Sequence, residues 1–251
     1  MPPPDATGVA AEPILVAQGL GKSRVMAPFD LALRPGEAVG LSGLLGSGRT
    51  ESAKLVFGAL KADSGSIAIG GKTLAAPSPR AALSRGVAFC PEDRKAEGIF
   101  AELSLRENIV IALQSKRGLF AALSRGEQNR LADEMIAALG IATPDAEKPV
   151  GQLSGGNQQK AVFARALVSD PRVLILDEPT RGVDVGAHAE IVALIRRLTT
   201  QGLAMLVASS ELEELLAVSG RIAVLRDRKW VGELSGAELS HEAVMEKIAA
   251  S

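Results

Sequence analysis

The chain has 251 residues, 47% of them apolar and 23% charged, which excludes a disordered tail or a fibrous repeat and leaves length for one large domain or two small ones. Its 28 Lys and Arg against 29 Asp and Glu leave a net charge of −1, and aromatics are only 3%, so neither a basic surface nor a stacking platform is present and no nucleic-acid partner is expected. A single cysteine, Cys90, and two histidines, His188 and His241, exclude an internal disulfide and a Cys/His metal cluster, and point to a reducing compartment.

Residues 1–13 read as a proline-rich leader or linker, without the basic start and apolar stretch of a signal peptide. No uncharged apolar stretch approaches the ~18 to 20 residues that span a bilayer. Short apolar runs at 14–17, 38–42, 66–69, 87–90, 173–176, 205–208 and 222–225 are of strand length. They alternate with segments of helical spacing at 52–60, 127–139, 157–168, 187–199 and 212–218, with Gly58, Gly140 and Gly202 at or near helix ends. This alternation predicts an α/β fold with a mainly parallel sheet covered on both faces. Between about 94 and 166 helical pattern dominates, which reads as a helical subdomain inserted into the α/β core. The main domain is expected at 14–240, with a C-terminal tail at 241–251.

The run at 38–42 leads into Gly43, Leu44, Leu45, Gly46, Ser47, Gly48, Arg49, Thr50 and Glu51, and then a helix. This is a P-loop with one substitution. Its glycines let successive N–H groups point inward, and the following helix N-terminus adds partial positive charge, so the loop can cradle phosphates. Thr50 is suited to ligate Mg²⁺, while Arg49 stands where a lysine is expected and replaces a compact ammonium with a planar fork.

A second apolar run, Val173 to Leu176, ends in Asp177 and Glu178. Adjacent acids at the C-terminal end of such a strand face the ligand crevice of an open α/β sheet. Asp177 suits a magnesium ion and Glu178 an attacking water. Between the two motifs, Ser154, Gly155, Gly156 and Asn157 open a helix and expose N-terminal N–H groups to a phosphate. Alone, this segment reads equally well as a capped helix start.

The order P-loop, Leu-Ser-Gly-Gly, Leu-Asp-Glu-Pro-Thr resembles the nucleotide-binding domain of ATP-binding-cassette (ABC) proteins. "GLLGSGRTE", "PEDRKAEGIF", "LSGGNQQK" and "LDEPTRGVDVGA" are similar to the C-terminal cassette of monosaccharide importers of the ribose, galactose and xylose type. The resemblance implies a P-loop NTPase core with an antiparallel β edge. It implies ATP and Mg²⁺ as cofactors and a head-to-tail dimer with a second cassette. It further implies a membrane permease, a sugar-binding protein upstream, and a peripheral place on the cytoplasmic face of the cell membrane. In such a dimer the Ser154 to Asn157 segment would face the other cassette's nucleotide.

Carried over residue by residue, Asp177, Glu178 and Asp184 match the magnesium, water-activating and dimer-loop positions. Arg49 replaces the P-loop lysine. Glu92 replaces the loop glutamine that senses the metal and contacts the permease, in a segment where Arg94 reads as surface charge or as part of that coupling loop. Ser210 falls at the switch histidine, or else forms a capping box with Glu213. No aromatic precedes the P-loop to stack on adenine unless Phe29 serves. These departures imply a transport ATPase subunit whose own site hydrolyses poorly; the competing readings are an ATP-binding regulatory module and a non-transport ABC protein.

Overall fold

Two β-sheets divide the fold, and the reason is visible in how their strands are buried. The computed structural model describes residues 11–118 and 121–250. Residues 1–10, most of the expected leader, lie outside the described part. An antiparallel sheet has the order β2-β1-β4-β5, from β1 (Leu15–Lys22), β2 (Met26–Leu33), β4 (Ser64–Ile69) and β5 (Lys72–Thr73). A second sheet has the order β10-β9-β3-β8-β7-β6, from β3 (Ala38–Gly43), β6 (Val87–Cys90), β7 (Val173–Asp177), β8 (Ala204–Ala208), β9 (Arg221–Arg226) and β10 (Lys229–Ser235). Within it β9, β3, β8, β7 and β6 are parallel and only β10 is antiparallel to its neighbour.

The inner stretches of the parallel strands are mostly apolar because both faces are covered. Leu174, Leu176, Met205, Val207, Ile222 and Val224 pack into one core with the larger helices. The alternate residues Val173, Ile175, Leu206, Ala223 and Leu225 pack into a second core with the antiparallel sheet and α1 (Arg49–Phe57). The helical layer also holds α2 (Pro79–Ser84), α3 (Leu105–Arg117), α4 (Arg125–Leu139), α5 (Gly155–Leu167), α6 (Val185–Thr200), α7 (Leu212–Val218) and α8 (His241–Ala249).

Among the described residues from 94 to 166 there is no strand, only a π-helical turn (Arg94–Gly98), α3, α4, a 3-10 turn and most of α5. Arg106, 2% exposed, is held there by Glu147 (2.9 Å) and by Gln128. Several helices begin earlier than their apolar spacing predicts, since capping residues set the start. Ser124, Ser154 and Asp184 each accept a backbone N–H in the first turn of α4, α5 and α6. α1 stops at Phe57, short of 60, because Gly58 turns left-handed (φ 79°). The stretch read as a C-terminal tail carries α8, which buries Val244 and Ile248. No described helix is long and apolar enough to cross a membrane.

Candidate functional site

β3 and β7 flank β8 and run parallel to it, which delivers the glycine-rich loop, the acid pair and the β8 exit to the same end of the sheet. Gly48 is the N-cap of α1 at φ 105°, a conformation that strains any side chain, and a Cβ there would lie 2.6 Å from Met26 Sδ. Arg228 N–H donates to Ser47 O (3.0 Å), tying the loop to the β9–β10 turn. Leu44 and Leu45 stand out at the loop tip, the latter 99% exposed, and Glu51 lies in the first turn of α1. The helix start and the loop backbone form a cradle suited to phosphate oxygens.

Thr50 Oγ1 donates to Asp177 Oδ1 at 3.1 Å, with Glu92 Oε2 3.5 Å from the same hydroxyl. Asp177 Oδ2 is buried and has no partner among the described residues. Burial pushes the Asp177 carboxyl up to about 6, partly opposed by the Thr50 hydrogen bond. An unpartnered carboxylate oxygen beside a hydroxyl and a second carboxylate is an oxygen-rich seat that a divalent cation fits, and a cation there would favour the charged form.

Next to this seat the polar groups satisfy one another. Arg49 donates through Nη2 to Glu178 Oε1 (3.0 Å), both side chains about nine-tenths buried, and through Nη1 to Gly43 O. Glu178 Oε2 accepts from Ser210 N (3.0 Å) and Ser210 Oγ (2.9 Å). Glu178 holds φ 49°, a left-handed backbone that costs a side-chain-bearing residue on the order of 1 to 2 kcal/mol. The capping box expected for Ser210 with Glu213 does not form. α7 has Glu211 as N-cap, and it is Ser209 that reaches Glu214 (2.5 Å) and accepts from Glu211 N. One residue of register decides this, and the sequence offers two serines in a row.

Phe29 cannot stack on a base. It is 4% exposed and lies flat on Trp230, ring centroids 4.7 Å apart. A recess of about 490 Å³ has Arg24, Met26 and Arg228 among its walls, and the last two are neighbours of Gly48. His188 pairs with Glu211 (3.2 Å), and Cys90 is buried with its thiol pushed up to about 12 by burial, hence inert.

The segment 154–157 stands apart. Among the described residues no hydrogen bond joins it to the loop at 43–51. Ser154 Oγ accepts from Asn157 Nδ2 (2.9 Å) and Asn157 N (3.4 Å), and Asn157 Oδ1 accepts from Ala142 N (2.8 Å). A Cβ on Gly156 would sit 2.5 Å from Ala187 Cβ, next to Asp184, the N-cap of α6. Two residues outside the expected site set join these parts: Arg181 pairs with Glu92, and Arg94 donates to the carbonyls of Arg181 (2.7 Å) and Gly182 (2.9 Å). The contacts span more than eighty positions and carry no local sequence signal.

Residues 26–181 match the family model described as "ABC transporter". The chain is 54% identical over 244 residues to the galactofuranose transporter ATP-binding protein YtfR of Escherichia coli K12, covering 97% of this chain and 49% of that protein. It is 45% identical to the ribose import ATP-binding protein RbsA 2 of Rubrobacter xylanophilus (93% and 45% covered) and 43% identical to the fructose import ATP-binding protein FruK of Bifidobacterium longum (95% and 47%). The chain thus spans about half the length of the curated relatives it matches. Its fold superposes with a TM-score of 0.78 on a dimeric ATP-binding cassette in a post-hydrolysis state, at 22% identity over 90% of this chain and 99% of that one. A nucleotide-free cassette gives the same score at 20% identity, over 95% and 100%. With its motifs in the family's order and its fold that of solved cassettes, the chain belongs to the ABC transporter family.

Proposed function

We propose that this chain is the second of two cassettes in the ATP-binding protein of a monosaccharide importer, holding ATP at its own loop, hydrolysing it slowly there, and completing a partner's site with residues 154–157. The observation that carries this reading is the Glu178 carboxylate, engaged at Oε1 by Arg49 and at Oε2 by Ser210. Three donors on this carboxylate, one of them a buried guanidinium, stabilise its charged form and so make it a weaker base toward a water. Arg49 is held by Glu178 and Gly43 O, which draws its charge toward the carboxylate and away from a γ-phosphate. The backbone cradle needs neither side chain, so binding survives where hydrolysis does not.

Thr50 and Asp177 would hold Mg²⁺, with Glu92 close by, and the ion would neutralise phosphate charge. The adenine is expected in the recess of about 490 Å³, against Arg24 and Arg228. Galactofuranose, ribose and fructose in the relatives' names support a monosaccharide cargo. The partners are a second cassette bound head to tail, with Asp184 and the 154–157 segment at the contact, and a permease that receives sugar from a binding protein. The cassettes lie peripherally on the cytoplasmic side of the membrane.

The test compares Gly155→Asp with Arg49→Ala in the assembled transporter, reading sugar uptake and ATP hydrolysis. A carboxylate at 155 adds negative charge where the partner's γ-phosphate would lie and crowds Arg94 and the carbonyl of Gly182 beside it, so a loss of roughly 10² to 10³ is expected, against less than about tenfold for Arg49→Ala. Equal losses, or a greater loss from Arg49→Ala, would make this chain's own loop the working site.

A further inference from the structure

The loop after β6 and the loop after β7 each send an arginine into the other. Arg94 donates through Nη1 to Arg181 O (2.7 Å) and through Nη2 to Gly182 O (2.9 Å). Arg181 returns its own side chain to Glu92 Oε1, and Glu92 Oε2 lies 3.5 Å from Thr50 Oγ1. The start of α5 rests on the same guanidinium: a Cβ on Gly155 would come within 3.0 Å of Arg94 Nη2 and 3.2 Å of Gly182 O. A planar fork that donates to two successive carbonyls fixes both the position and the rotation of that peptide segment, whereas an ammonium is a point charge that does not span the pair.

We propose that Arg94 is a positioning residue for the surface this chain offers a partner cassette: it sets the spacing between residues 154–157 and 181–184 and joins both to the loop at 91–98. The proposal rests on the reading that 154–157 acts on a partner's nucleotide. The reciprocal pair behaves differently. Arg181 has 64% of its side chain exposed, so its hold on Glu92 is screened by salt. Arg94 binds neutral carbonyls, and its hold is far less sensitive to salt.

The experiment uses the transporter assembled from this chain, an intact partner cassette and permease. ATP hydrolysis at the partner's site is measured for the unchanged chain, Gly155→Asp, Arg94→Lys, Arg94→Gln and Arg181→Gln, at low and high salt. In parallel, amide hydrogen exchange across 180–187 is followed in the 251-residue chain and its Arg94 variants. Arg94→Lys and Arg94→Gln are each expected to lower kcat about tenfold with KM for ATP within about twofold, since misplacement of a transition-state group acts on kcat. Exchange across 180–187 should speed up by about tenfold as two hydrogen bonds are lost. Arg181→Gln should cost no more than about threefold, and only at low salt. If Gly155→Asp abolishes hydrolysis while Arg94→Lys leaves kcat unchanged, or if Arg94→Lys restores what Arg94→Gln loses, the fork is not the positioning device and the proposal is overturned alone. If Gly155→Asp is itself harmless, the reading beneath it fails and the proposal falls with it.

Discussion

The loop at 43–51 and the segment at 154–157 are both helix N-termini preceded by small residues, yet they treat their polar groups in opposite ways. Around the first, Arg49, Glu178 and Ser210 satisfy one another inside the fold. Around the second, the hydrogen bonds of Ser154 and Asn157 run back toward Ala142 and α5 itself, and Gly155 and Gly156 present no side chain at all. A self-satisfied site is stable when empty. A segment of bare backbone and small residues has no side chain to clear before an anion approaches its helix N-terminus. Breaking a buried ion pair on one side only leaves an uncompensated charge, which costs ~3 to 5 kcal/mol, so the first arrangement resists reopening.

The largest effect is expected from rebuilding the first region. Arg49→Lys together with Ser210→His frees Glu178 and returns an ammonium and an imidazole to the cradle. Turnover at this chain's own site is expected to rise by about 10² over the unchanged chain, and by much less for either change alone, because restored electrostatic partners act together. Single-turnover kinetics with radiolabelled ATP would measure it.

The second region is sharpened by overfilling it. Gly156→Ala drives a methyl to 2.5 Å from Ala187 Cβ and should destabilise the chain by ~1 to 3 kcal/mol through overpacking between α5 and α6. Adding Ala187→Gly opens the space, and chemical denaturation of the pair should show recovery of most of that loss; no recovery would mean that the α5 and α6 starts are not in contact.

The smallest effect concerns the neighbourhood of the β8 exit. Burial holds the Glu214 carboxyl above the usual carboxylate range, opposed by the Ser209 hydrogen bond. A carboxyl raised in the folded state adds stability below its unfolded value, and that contribution fades as pH rises through the folded value. Melting temperature should therefore carry a falling component from pH 4 upward that Glu214→Gln removes, while Glu213→Gln, on the exposed side, leaves it.

Much of the fold is legible because the parallel strands are apolar on both faces, so their runs at 38–42, 173–176, 205–208 and 222–225 stand out without knowledge of their neighbours. β2 and β10 are not legible in this way. β2 carries Pro28 and Asp30, and β10 is a half-exposed edge broken at Gly232, where the pairing register shifts. The seat of Thr50 and Asp177 follows from two motifs, each with local spacing. The Arg49–Glu178–Ser210 arrangement does not, because its members lie 129 and 32 positions apart and meet only through strand order. Phe29 shows the same limit: as an aromatic ahead of the loop it is a reasonable base platform, but β10, unseen in the sequence, places Trp230 on its face.

The most direct measurement is ATP turnover by the purified 251-residue chain at saturating Mg-ATP, with Glu178→Gln beside it and binding measured on the same samples. Both proteins should bind ATP at micromolar to millimolar concentration, roughly 4 to 8 kcal/mol of binding energy, and both should hydrolyse it at a slow and nearly equal rate. Turnover as fast as that of an ordinary active cassette, abolished by Glu178→Gln, would show that Arg49 and Ser210 release Glu178 readily and that the site is a working one.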